Sequence, residues 1–430
     1  MRGDSIQAAG RVAAVLIAGL ALGAGAAQAQ SAAGDLPTGR TLSFSVGLGM
    51  RASDNPDFKR NPGSSEASAS ASLGLQLRSV TDVSSLTFTA NTLLLQGISG
   101  DDTGFERPQQ GATLSYSREG RNTSLSVNAS LRESRIDYLR PLSDFIDDEG
   151  ELVLPDDLDD LSGTGWRRHT GASASLTLGR EAPFGVVLGA GYSDISYRDA
   201  SNPSLEDSER WNASARMRFD LTPVTRLNLG LGYSSFKDDD GRRETWSLSP
   251  GLSFDRPDGS YSTNLGVTRT EDGTRLSAEL GRTIERPWGS VSGRIGAVRL
   301  AGGDTVMSGG GRLTYAMRHA QLGVGLERSA VSGSDDEEVL RTALSVNYQR
   351  ALSDHSSLGA SLSYVTSDNR LTGSTVDNVS FGLSYSHALS KDWSANIGYN
   401  YRTRDESGVP GSVRENVISV SLSRSLVFGF

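Results

Sequence analysis

Leu42-Ser43-Phe44-Ser45-Val46-Gly47-Leu48-Gly49-Met50 decides the fold: every even position is a large apolar residue and every odd one a serine or glycine. A period of two sends successive side chains to opposite faces, so this stretch is a strand with one apolar face and one small, hydroxylic face. The same alternation returns at Leu227, Leu229, Leu231 and Tyr233 around Asn228, Gly230 and Gly232, at Leu358, Ala360, Leu362 and Tyr364, and at Val379, Phe381, Leu383 and Tyr385. From Gly39 onward about twenty such segments follow one another, centred near residues 45, 72, 88, 114, 128, 173, 190, 215, 230, 249, 265, 279, 294, 313, 324, 345, 360, 382, 397 and 421. No comparable stretch has helical spacing.

The connections between these segments alternate in kind. Every second link is tight or contains proline, as at 388–392, Arg318-His319-Ala320, Arg286-Pro287-Trp288 and Arg256-Pro257-Asp258-Gly259. The links between them are longer or more acidic, as at 404–412, 367–375, 332–338, 237–242 and 199–209. Short turns at one end and longer loops at the other are what an up-and-down antiparallel barrel in an outer membrane requires, and a propeller or solenoid has no cause to alternate in this way. The expected fold is therefore all-β, a transmembrane barrel of about twenty strands (between 18 and 22) over residues 39–430.

Composition fits that reading. With 36% hydrophobic residues in 430 and a mean hydropathy of -0.33, the chain lacks the repeated apolar runs of about 20 residues that helical membrane proteins need. A barrel strand shows lipid only every other side chain, so its average looks polar while its period does not. The one long apolar run lies at Val12–Ala27, behind Arg2 and Arg11 and ahead of Ala27-Gln28-Ala29, the layout of a cleavable export signal over residues 1–29. Residues 30–38 then form a short periplasmic segment, too short for a plug domain. The chain has no cysteine, so disulfides and thiolate chemistry are excluded, and no cofactor is expected.

At the other end Leu422, Leu426, Phe428 and Phe430 share one parity. This resembles the C-terminal strand signal of bacterial outer-membrane proteins, which the barrel-assembly machinery reads, and the chain as a whole is similar to the porin-type barrels of proteobacteria. The resemblance implies an outer-membrane location in a Gram-negative envelope, contact with outer-membrane lipid and lipopolysaccharide, and no dealings with nucleic acid; homo-oligomers stay open. Arg424 departs from the pattern by falling on the lipid parity, which calls for a bulge, snorkelling or a place near the interface. Tyr116, Phe219, Tyr233, Trp246, Phe254, Tyr364, Tyr385, Trp393, Tyr399 and Tyr401 lie on the apolar parity near segment ends, the placing of interfacial aromatic girdles.

Twenty strands enclose a cylinder roughly 40 Å across, too wide for side chains to fill, so the interior holds water or an infolded segment. Only Lys59, Lys237 and Lys391 among the 42 basic residues are lysines; the rest are arginines. On the polar parity stand Arg216, Arg218, Arg275, Arg294, Arg312, Arg318, Arg341 and Arg402, with Glu279 and Glu327. These are the pore-lining candidates, either a field that attracts anions or wall charges neutralised by neighbouring carboxylates. The largest insertion, 139–165, carries Asp144, Asp147, Asp148, Glu149, Glu151, Asp156, Asp157, Asp159 and Asp160. It could form a constriction against the arginines, bind surface cations, or stay solvated; it lacks the spacing of a dedicated calcium loop.

Chemistry is not expected. Four histidines are present, with no His-Glu-x-x-His motif and no Gly-x-Ser-x-Gly elbow, and nothing converges on any of them. The function expected from sequence is a porin-like channel for passive diffusion of small hydrophilic solutes or ions. The alternatives are a non-conducting surface or structural barrel, serving adhesion or envelope organisation, and the outer-membrane component of a polysaccharide exporter.

Overall fold

The computed structural model of the chain describes residues 38–61, 65–100, 104–136, 161, 163–239, 241–271, 273–332, 338–369 and 373–429. The alternating segments become twenty strands: β1 (Gly39–Ser53), β2 (Glu66–Thr81), β3 (Ser84–Ser99), β4 (Phe105–Glu119), β5 (Thr123–Arg135), β6 (Trp166–Leu178), β7 (Phe184–Arg198), β8 (Ser208–Thr222), β9 (Thr225–Lys237), β10 (Arg242–Arg256), β11 (Gly259–Thr270), β12 (Gly273–Arg286), β13 (Gly289–Arg299), β14 (Thr305–Met317), β15 (Ala320–Ser332), β16 (Glu338–Ser353), β17 (Ser356–Asn369), β18 (Thr375–Ala388), β19 (Trp393–Glu406) and β20 (Val413–Gly429). Each pairs antiparallel with its neighbours in sequence. β1 also pairs with β20, from Thr41 opposite Gly429 to Ser53 opposite Val417, so the sheet closes into one barrel. Closure matters energetically because hydrocarbon offers no partner to an edge strand, and every unpaired backbone group there would cost several kcal/mol.

The turns at one end, 82–83, 257–258, 287–288, 318–319 and 354–355 among them, are short. The other end carries the longer connections, of which 136–165 is the longest. In barrels of this architecture the short-turn end is periplasmic.

The two parities separate as their chemistry dictates. Phe44, Val46 and Met50 on β1, Leu265 on β11, Leu280 on β12, Ile295 on β13 and Ile418 and Val420 on β20 are all exposed on the outside, a belt that suits lipid and no aqueous surface. Register carries serine opposite glycine on the inner face, as in Gly47–Ser72, Gly230–Ser249, Gly325–Ser345 and Gly398–Ser419. The aromatic residues expected in girdles all fall on the outer face, and Phe44 meets Phe428 edge to face across the β1–β20 seam, with centroids 6.4 Å apart.

Arg424 shows which escape the lipid-facing charge takes. The ladder runs through it without a bulge. Its Nη2 reaches Asp392 Oδ2 in a turn at the short end, at 3.0 Å, and its guanidinium lies 5.4 Å from the Trp393 ring centre, so it snorkels to the interface. The export signal with its cleavage residues Ala27 and Ala29, the nine acidic residues from Asp144 to Asp160, and Phe430 lie outside the described residues.

Candidate functional site: the lumen wall

The pore-lining candidates face the lumen with one exception. Arg318 falls in the exposed turn after β14, where the strand ends at Met317, so its parity does not place it on the wall. Sequence parity overreached because it extended a strand pattern through a turn. The others divide into three groups.

The first group occupies five consecutive strands. Glu279 on β12, Arg294 on β13, Arg312 on β14, Glu327 on β15 and Arg341 on β16 line one stretch of wall, with Arg275 nearer the loop end of β12. Arg294, Arg312, Glu327 and Arg341 border a recess of about 540 Å³, floored by Gly310 and Gly325 and edged by Ser262, Ser292 and Ser345. Arg294 Nη2 pairs with Glu327 Oε1, and both side chains stay open to the lumen, at 49% and 43% exposure. Glycine makes room for these carboxylates. A Cβ at Gly310 would stand 2.5 Å from Glu327 Oε2, and one at Gly296 would stand 2.5 Å from Cγ of Glu279. Ser308 donates to Glu279 Oε1 at 3.4 Å. Arg341 is buried and donates through Nε to Ser367 Oγ at 3.2 Å, so it belongs to the wall itself.

The second group is on β8. Arg216 is exposed to the lumen. Arg218, two residues on, donates through Nη2 to the carbonyls of Gly179, Arg180 and Ala182 at 2.9, 3.1 and 2.7 Å, which makes it the clamp of the β6–β7 turn.

Arg402 belongs to a third group that sequence reasoning missed. Its Nε donates to Glu415 Oε2 at 2.5 Å, while Glu415 Oε1 accepts from Arg51 Nη2 at 3.1 Å and Ser53 Oγ at 2.6 Å. Glu415 is 2% exposed and sits where β19, β20 and β1 meet. Three donors on one carboxylate satisfy a charge that burial would otherwise penalise heavily. The segment after β1 folds over this cluster. Phe58, held at φ 48° with its N–H on the Asn55 carbonyl, lays its ring 4.0 Å from the Arg402 guanidinium. Asn55 donates through Nδ2 to the carbonyls of Lys59 and Arg414 at 2.7 and 2.8 Å, and Arg60 Nη1 reaches the Gly411 carbonyl at 2.6 Å. A signal for the cluster did exist: in any closed barrel the first and last strands pair, and Arg51 and Glu415 both stand on the polar parity.

His319 and His355 lie in short turns, His387 ends β18 beside Tyr385, and His169 faces the lumen opposite Arg132. Among the described residues no three metal-ligating side chains come together.

No family model matches the chain, and no curated protein does at a significant level. Solved structures do. The siderophore receptor PirA from Pseudomonas aeruginosa aligns over 91% of this chain and 81% of its own, at 12% identity and a TM-score of 0.50. A variant of the ferric enterobactin receptor PfeA from the same organism aligns over the same shares at 12% identity and a TM-score of 0.51. OccAB4 from Acinetobacter baumannii covers 91% of this chain and 99% of its own at 11% identity, with a TM-score of 0.40. The chain has the closed-barrel fold of these bacterial outer-membrane proteins. At these identities the likeness concerns the fold, and what the barrel carries has to be argued from its own wall.

Proposed function

We propose that this outer-membrane barrel is a passive channel for small hydrophilic solutes. One observation carries the reading: the inner face is paved with serine and glycine, and a recess of about 540 Å³ in it pairs Arg294 with Glu327 on a wall open to the lumen. Such a surface offers water and hydroxylated solutes many weak partners and no deep trap, which is the condition for passage. Arg294, Arg312 and Arg341 face a single carboxylate, Glu327, across the recess, so a mild preference for anions follows.

The test is single-channel recording of the purified protein in a planar bilayer under a salt gradient. Stable unitary steps with a small reversal potential are expected. Protein that is folded by heat-modifiable gel mobility yet electrically silent would overturn the channel reading and move the barrel to the structural or exporter class.

A further inference from the structure

On the outer face, at the short-turn end of β10–β12, two guanidinium groups bear on one carboxylate and a third lies over the ring that one of them also covers. Arg282 Nη2 donates to Asp258 Oδ2 at 2.7 Å, and Arg286 is close enough to act on the same carboxylate. Arg256 stands 5.3 Å from the Phe254 ring centre and 5.9 Å from that of Tyr261, while Arg282 lies 4.1 Å from Tyr261. Arg256 and Arg286 are exposed, and among the described residues neither makes an ion pair or hydrogen bond to a carboxylate; Arg286 acts on Asp258 only at longer range. The lumen function makes no use of these groups, because they point away from it.

Register explains the arrangement. Phe254, Tyr261 and Arg282 are direct cross-strand partners on one outward row, and Arg282 is opposite Gly293, which is opposite Gly311. A Cβ at Gly293 would meet no heavy atom within 4 Å, and one at Gly311 only the Ser292 carbonyl oxygen at 3.6 Å. Their neighbours Leu280 and Ile295 stand 65% and 60% exposed. The row is therefore a furrow in the apolar belt, floored by two glycines, that opens at one end onto the arginines.

We infer that this patch binds an anionic phospholipid of the periplasmic leaflet, its phosphate on Arg256, Arg282 and Arg286 and one acyl chain in the Gly293–Gly311 furrow. Charge complementarity chooses the occupant: guanidinium groups match phosphate oxygens in a bidentate fork, and two of the three make no hydrogen bond to an internal carboxylate, which leaves their forks open. The rings of Phe254 and Tyr261 lie at the level where aromatic side chains meet head groups. A zwitterionic lipid carries its own ammonium against the same arginines and gains less. The inference depends on the orientation of the barrel and is independent of conduction.

The test is native mass spectrometry of the detergent-solubilised barrel equilibrated with equimolar dimyristoyl phosphatidylglycerol and dimyristoyl phosphatidylcholine. The protein should retain phosphatidylglycerol preferentially, and the double variant R256Q/R286Q should lower that preference about thirty-fold, the share expected of two basic residues beside anionic lipid. Arg118→Gln, on another part of the same rim, should leave it unchanged. G293L/G311L should reduce retention of both lipids by filling the furrow. Should that variant fail to fold, R256Q/R286Q alone carries the test, since it alters only exposed side chains. Equal retention of the two lipids by the unmodified protein, or an unchanged preference in R256Q/R286Q, would overturn the site.

Discussion

Two arginine–glutamate pairs line the same lumen and have opposite fates. Arg402–Glu415 is sealed at the barrel seam, at 9% and 2% exposure, with Arg51, Ser53 and Phe58 around it. Arg294–Glu327 lies in the recess of the β12–β16 wall at 49% and 43% exposure. The residue types are the same, so burial decides what each does. A sealed pair has exchanged water for three fixed donors, and losing any of them leaves a charge without solvation. An open pair keeps its water, contributes about 0–1 kcal/mol to stability, and remains available to passing solute. The seam pair is therefore architecture, and under the proposed channel reading the wall pair is what solute meets.

The largest effect should come from breaking the seam. Glu415→Ala leaves Arg51 and Arg402 facing each other without their shared carboxylate, and loss of one member of a buried pair costs about 3–5 kcal/mol. The urea midpoint of unfolding, followed by heat-modifiable gel mobility, should fall accordingly. Glu327→Ala should barely move it. Equal losses for the two variants would erase the distinction between them.

Next in size is Gly310→Ala. The added methyl would stand 2.5 Å from Glu327 Oε2 and 2.6 Å from the Leu326 carbonyl oxygen, so the carboxylate must leave its slot. Forced repacking of this kind costs about 1–3 kcal/mol. It should also part Glu327 from Arg294, shifting the reversal potential in a salt gradient, whereas alanine at Gly293 on the outer face should change neither quantity.

Glu327→Gln isolates the electrical effect. It keeps the shape, removes one negative charge from the recess and leaves Arg294 and Arg312 in place. Stability should change by no more than about 1 kcal/mol. The reversal potential should move toward anion selectivity, and a potential that does not move would show that the recess lies outside the conducting path.

How much of this was legible beforehand follows from what each feature depends on. The strands were legible because Leu42, Phe44, Val46 and Leu48 repeat with a period that only a strand sustains, and all twenty segment centres fall inside strands. The facing of Arg294, Glu327 and Arg341 was legible for the same reason. Which charges meet depends on register between strands, and one chain's periodicity does not print that. Arg51 and Glu415 are 364 positions apart and touch only because the barrel closes. Arg218 shares the parity of Arg216 yet is spent on the β6–β7 turn, because its reach ends at three carbonyls that sequence spacing does not reveal. Arg318 was misplaced because parity continues on paper past the residue where a strand stops.

A third pair, Asp258–Arg282, extends the comparison to the outer rim and should give the smallest effect. The hydrogen bond from Arg282 holds the Asp258 carboxyl below its ordinary value of 3.8, with the charges of Arg282 and Arg286 acting in the same direction and desolvation opposing them. A carboxyl depressed by folding adds stability above its unfolded pKa and surrenders it as pH falls through the lower folded value. The difference in urea midpoint between the native chain and Asp258→Asn should therefore be constant from pH 7 to about pH 5 and shrink below about pH 4, where the unfolded carboxyl takes up its proton first. A difference that instead grew on acidification would mean that the three arginines repel one another more than the single carboxylate holds them, and the rim pair would then join the sealed class in needing all its partners.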